Sequence, residues 1–169
     1  MGVGRTALDK AILVEGMTMS AHPSSTHDGH EQPVLENLDE AECLRLISPG
    51  GIGRIVYVGR YGLTVLPVNY TLYRGAIMFR TSQRSLTGED LQTGIAHAEY
   101  QVAFEIDDIN PAAHEGWSVL IHGPAHQMTT DSERALVEES GVEPWGPGPK
   151  ELAIRITPDR IAGRRLRQG

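Results

Sequence analysis

A chain of 169 residues with a formal net charge of −7 is sized for one domain with a hydrophobic core of its own. The acidic balance argues against general nucleic-acid or membrane-surface binding, which concentrates excess Lys and Arg on the surface. A single cysteine, Cys43, excludes an internal disulfide and a thiolate metal cluster and suits a reducing cytoplasm, and no apolar run reaches the length of a membrane span.

Residues 1–33 are expected to be a disordered tail, because "SAHPSSTHDGHEQP" lacks the apolar content that offsets ordering entropy. The tail histidines His22, His27 and His30 are read as solvated rather than as metal ligands, and no metal site is expected. The domain then occupies 34–169. It opens on a short helix in "NLDEAECLRLI", with Asn37 as N-cap and Glu40 at the capping-box position. "GIGRIVYV" follows as a strand rich in β-branched residues, turning at "GRYG". "LTVLPVNYT" is apolar on both faces, the pattern of a strand buried on two sides, and "LYRG" links it to "AIMFRT" in an antiparallel meander.

"RSLTGEDLQTGIA" predicts a weak helix interrupted by Gly88. "YQVAFEID" alternates as a half-buried strand, the loop "DINPAAHE" follows, and "GWSVLIHGPAHQMTT" is a long strand with a bulge or bend at Gly123 and Pro124. Thr130 and Glu133 form the capping box of a helix that Gly141 stops, "EPWGPGPK" is a loop, and "ELAIRIT" and "RIAGRRL" supply one or two closing strands. Turn signals at short spacing, without regular strand–helix alternation, give a mainly β (α+β) fold: a six- to seven-stranded antiparallel barrel with peripheral helices.

Most candidate motifs have a plain structural explanation. "GGIGR" follows a helix and opens a strand, the reverse of a dinucleotide-binding fingerprint. Glu105 and Asp107 share a strand face but read as its solvent side, and His122 and His126 as a surface pair. Cys43 has no activating base in its helix, and there is no nucleophile elbow. "RIAGRRLR" is the one basic run, too little for nucleic-acid binding against the overall charge. In "AIMFRTS", by contrast, Arg80 extends a line of apolar side chains and two hydroxyls follow it, the donor chemistry that suits a phosphate. Trp117, isolated between Gly116 and Ser118, reads as core.

Taken in order, "GRIVYV", "LPVNYTLYRGAIMFRTS", "VAFEIDDIN", "GWSVLIHGPAHQM" and "PWGPGPKELAIRITPDRIAGRR" resemble the pyridoxamine 5′-phosphate oxidase-like family of split-barrel flavoproteins, especially small actinobacterial members, over Leu38 to about Arg165. The resemblance implies a cytoplasmic homodimer with FMN in clefts between subunits, the deazaflavin F420 or haem being used by some relatives. It sets Pro67, Val68 and Asn69 along the flavin ring. Phe79, Arg80, Thr81, Ser82 and Ser85 would reach the ribityl chain and phosphate, and Trp117 and Ser118 would approach from the partner. One departure stands out: Leu86 occupies the position where relatives often carry a phosphate-pairing lysine, which leaves Arg84 as the substitute cation. The resemblance therefore implies an FMN-dependent oxidoreductase acting on a small molecule, with no catalytic residue singled out. The alternative is a non-catalytic module with a stress-related or regulatory role that binds flavin, F420, haem or nothing.

Overall fold

The computed structural model describes residues 32–91 and 100–168. The tail histidines and Ile95 of the second predicted helix lie outside the described residues. Eight strands and three helices follow in the order β1 (Val34–Leu38), α1 (Glu40–Ile47), β2 (Gly51–Gly59), β3 (Gly62–Tyr73), β4 (Ala76–Thr81), α2 (Leu86–Asp90), β5 (Tyr100–Asn110), β6 (Glu115–Met128), α3 (Asp131–Ser140), β7 (Leu152–Ile156) and β8 (Arg160–Arg167). All strand pairs are antiparallel, in the order β1-β8-β6-β5-β2-β3-β4-β7, and a further pairing of β6 with β7 closes six strands into a barrel. The predicted meander is β2-β3-β4, and both closing strands form.

The barrel interior takes one face of each strand. Ile55, Tyr57, Tyr70, Ile77, Phe79, Phe104, Ile106, Val119, Ile121, Ile154 and Ile156 fill it. Phe104 sits at its centre, edge-on to Tyr70 with ring centroids 5.5 Å apart and stacked on Phe79 at 6.3 Å. The "GGIGR" glycines are explained here, since a Cβ on Gly53 would stand 2.2 Å from the Phe104 ring. A smaller cluster of Met78, Met128, Val137, Val142 and Ala153 lies on the outer side of β4 and β7, beneath α3.

Four expectations are corrected. Asp39, not Asn37, caps α1, accepting from the Glu42 N–H at 2.8 Å. Asn37 is instead paired with Arg164 in the unpredicted strand β1, a partner too remote in sequence for local periodicity to signal. The loop "DINPAAHE" shrinks to Pro111–His114, because β5 runs on to Asn110. No bulge forms at Gly123 against β5, where the register runs unbroken from Tyr100 opposite Ala125 to Asn110 opposite Glu115. Gly123 serves the other edge: the connection from β7 to β8 crosses so closely that an added Cβ would lie 1.9 Å from the Thr157 carbonyl oxygen. Finally, the outer face of β3 is covered only towards its end, where Tyr73 packs against the cluster beneath α3, and Leu63 and Val65 stand outward at 75% and 53% exposure.

Helix α3 has the predicted capping box, with Gly141 closing it in the left-handed conformation. Burial alone raises the Glu133 carboxyl, but the Thr130 N–H, the His126 ring 2.6 Å away, the Thr129 N–H and the Thr130 hydroxyl outweigh it and bring it from 4.5 down to about 2. A depressed carboxylate pKa stabilises the fold above its ordinary value, and that contribution is lost as pH falls from 4.5 towards about 2. Glu133→Gln is expected to cost about 1 kcal/mol at neutral pH. It should also flatten the acid arm of a plot of Tm against pH; an unchanged acid arm would contradict this assignment.

Candidate functional site

The polar end of β4 is held in place from two sides. Ser85 caps α2, accepting from the Gly88 N–H at 3.0 Å, and Arg60 in the β2–β3 turn grips the helix through Glu89 at 2.9 Å and Asp90 at 2.7 Å. The Ser85 hydroxyl donates to the Ser82 carbonyl at 2.6 Å, so the Thr81 hydroxyl, 2.8 Å away, must be its donor. Ser85 is thus saturated by its own chain. Ser82 accepts from the Arg84 N–H at 3.3 Å and keeps its own proton, while the Arg84 side chain is exposed.

The strand period divides the predicted residues between two faces. Phe79 and Thr81 point into the barrel with Ile77, and the Phe79 ring is fully enclosed. Arg80 points outward beside Met78. One step beyond the last β3–β4 pair, Tyr70 with Phe79, it neighbours Asn69 on the same outer face. Pro67 lies further along that face and is exposed, whereas Val68 packs inward against the core.

Asn69 and Arg80 share a partner that the sequence reading missed, the loop after α3. The Asn69 amide donates to the Glu143 carbonyl at 2.5 Å and accepts from the Trp145 N–H at 3.1 Å, and Arg80 Nε donates to the Lys150 carbonyl at 2.9 Å. Among the described residues, the two terminal guanidinium nitrogens of Arg80 have no partner, and Arg80 borders a groove of about 220 Å³ whose polar lining also includes Gln83, Gln127, Arg134 and the carboxylates Glu138 and Glu151. The signal for the clamp was present as an amide in the middle of an apolar strand, which needs a polar partner when half-buried.

Trp117 and Ser118 are not brought to this end within one chain. They sit on β6 opposite Asp108 and Asp107, with the Trp117 ring against the main core and bordering an open groove of about 330 Å³ beside Arg165. Glu105 and Asp107 are both occupied by Arg54, at 2.9 and 2.6 Å, which removes them as an acid–base pair.

The remaining donors at the rim are the Arg80 fork, the Ser82 hydroxyl and Arg84, and the adjoining surface is the apolar outer face of β3. That donor set suits an anionic head group, and the flat apolar strand suits a ring, although Thr81 and Ser85 are already spent on each other. Leu86 is 48% exposed at the first position of α2, a neutral side chain facing water where a cation would have strengthened the seat.

Comparisons with known proteins agree with the fold. The chain is 28% identical over 129 residues to an uncharacterized protein of Mycobacterium tuberculosis, covering 76% of this chain and 84% of that one. Its fold matches a candidate pyridoxamine 5′-phosphate oxidase from Corynebacterium glutamicum with a TM-score of 0.63 and 27% identity, covering 80% of this chain and 95% of the other. It also matches an FAD binding protein from Mycobacterium smegmatis with a TM-score of 0.62 and 26% identity, covering 78% and 97%. The model of one family, pyridoxamine 5′-phosphate oxidase, matches residues 39–165, which span the barrel from the cap of α1 to β8, and the chain belongs to that family.

Proposed function

We propose that this protein is an FMN-binding oxidoreductase of the cytoplasm that works as a homodimer and exchanges electrons with a small molecule. The observation that carries the proposal is the meeting, at one end of β3 and β4, of an open apolar sheet face with the cationic and hydroxyl groups of Arg80, Ser82 and Arg84. The flavin, when bound, supplies the transfer of a hydride or electron pair. The chain's own part is to hold and orient. Pro67 and the peptide of Val68 offer a flat wall to the ring, Arg80 and Arg84 offset the head-group charge, and Ser82 donates its free proton to a phosphate oxygen. Val58, Leu63 and Val65, with Val58 66% exposed, form an apolar stripe that a second copy would cover, excluding water from the ring. Trp117 and Ser118 of that copy would then complete the cleft.

A second reading is supported by Leu86 and by the closed Thr81–Ser85 hydroxyl pair: a binding module that keeps the barrel but holds flavin, F420 or haem without turnover. Anaerobic addition of a reduced nicotinamide to the FMN-loaded protein separates the two. Bleaching of the flavin at a rate well above that of free FMN supports the oxidoreductase, and a bound flavin that stays oxidised with every reduced donor supports the module.

A further inference from the structure

We propose that Trp145 is one wall of the ring-binding site, and that Asn69 and Arg80 act on the ligand partly through it, as positioning residues for the loop that carries it. The inference rests on the reading of the site as one for a flavin-type ring. Its own support is geometric. Trp145 is 71% exposed, the most exposed tryptophan a chain with two can offer. An indole left in water is ordinarily carried by a mobile segment, but this one is pinned. Its backbone N–H is held by Asn69 at 3.1 Å, the preceding Glu143 carbonyl accepts from the same amide at 2.5 Å, and the far end of the loop is tied at Lys150 to Arg80 at 2.9 Å.

Both anchors stand side by side on the outer face of β3 and β4, the face on which Pro67 is exposed. Pro144, Pro147 and Pro149 remove backbone freedom from the same segment, and buried Val142 roots it in the cluster beneath α3. A large, electron-rich π surface is thus left uncovered on a loop tied down at both Asn69 and Arg80. A conjugated planar ring stacking on it gains contact without any ordering of the loop at the moment of binding.

Flavin binding by the wild type and by Trp145→Ala, Trp145→Phe and Arg84→Ala tests this, with FMN and with riboflavin, which has the same ring and no phosphate. Trp145→Ala should weaken both ligands by about tenfold and relieve the quenching of flavin emission, since a stacked aromatic contributes on that order. Trp145→Phe should recover most of the affinity but not the quenching, and Arg84→Ala should weaken FMN alone. Independently of any ligand, in a Trp117→Phe background the emission of Trp145, then the chain's remaining tryptophan, should lose anisotropy on Asn69→Ala.

Wild-type affinity and quenching in Trp145→Ala would overturn this proposal while leaving the flavin reading intact. So would flavin binding that is unchanged while Trp145→Ala dissociates the dimer, which would make the loop an interface anchor. A wild type that takes up neither flavin overturns the flavin reading itself, and this proposal with it.

Discussion

Phe104→Ala is expected to lower the unfolding free energy by about 3–5 kcal/mol, and Tm by on the order of 10 °C. The ring is fully buried on β5 between Ile55 of β2 and Ile121 of β6, and it meets the rings of Tyr70 and Phe79. Two features make the loss large. Gly53 lies directly against the ring and has no side chain to relax into the vacated space, so the cavity persists. The barrel is also closed, and β2 and β5 cannot move together without straining the six-strand circuit. Denaturant unfolding of wild type and variant measures this directly, and a loss below about 1 kcal/mol would show that the interior is not organised around Phe104.

Arg80→Ala separates binding from folding. In the proposed site the Arg80 fork supplies charge-assisted hydrogen bonds to the head group, each contributing about 1.5–3 kcal/mol, so FMN affinity should fall roughly 10- to 100-fold. Among the described residues the side chain makes one hydrogen bond, to the Lys150 carbonyl at 2.9 Å, and its removal should cost only about 1 kcal/mol of stability. Titration of FMN beside denaturant unfolding gives both quantities from one preparation. Equal fractional losses in the two would make Arg80 a structural residue. Arg80→Lys sharpens the comparison: it keeps the charge and loses the fork, and the account predicts only partial recovery of affinity.

The strands that close the barrel were legible because each carries its own record. Val102, Phe104 and Ile106 alternate with Gln101, Ala103 and Glu105, and the burial follows that period. The α3 cap was legible for the same reason, since Thr130 and Glu133 are three residues apart and satisfy each other locally. What could not be read depends on partners distant in sequence. Residues Val34–Leu38 become a strand only because β8 lies beside them, so the amide of Asn37 suggested a cap that Asp39 in fact provides. Gly123 suggested a bulge, whereas its reason is the chain crossing at Thr157.

At the site, composition was readable and direction was not. "FRTS" announces donors for an anion, but the pleat sends Arg80 outward and Thr81 inward, and only three-dimensional neighbours show that Ser85 is already saturated. Likewise "LTVLPVNYT" is apolar on two faces, yet Leu63 and Val65 on its outer face stay exposed within the chain. A strand that invests Leu63 and Val65 on a solvent face carries the composition of an interface, and that apolar stripe underlies the proposed dimer.

The most direct measurement of the central claim is the visible absorption spectrum of the protein as purified, together with the mass of whatever chromophore is released on denaturation. The account predicts a yellow protein with flavin bands, FMN as the released species, and loss of both in Arg80→Ala. Colourless protein that takes up no FMN supplied in excess, or a spectrum of haem in its place, would contradict it.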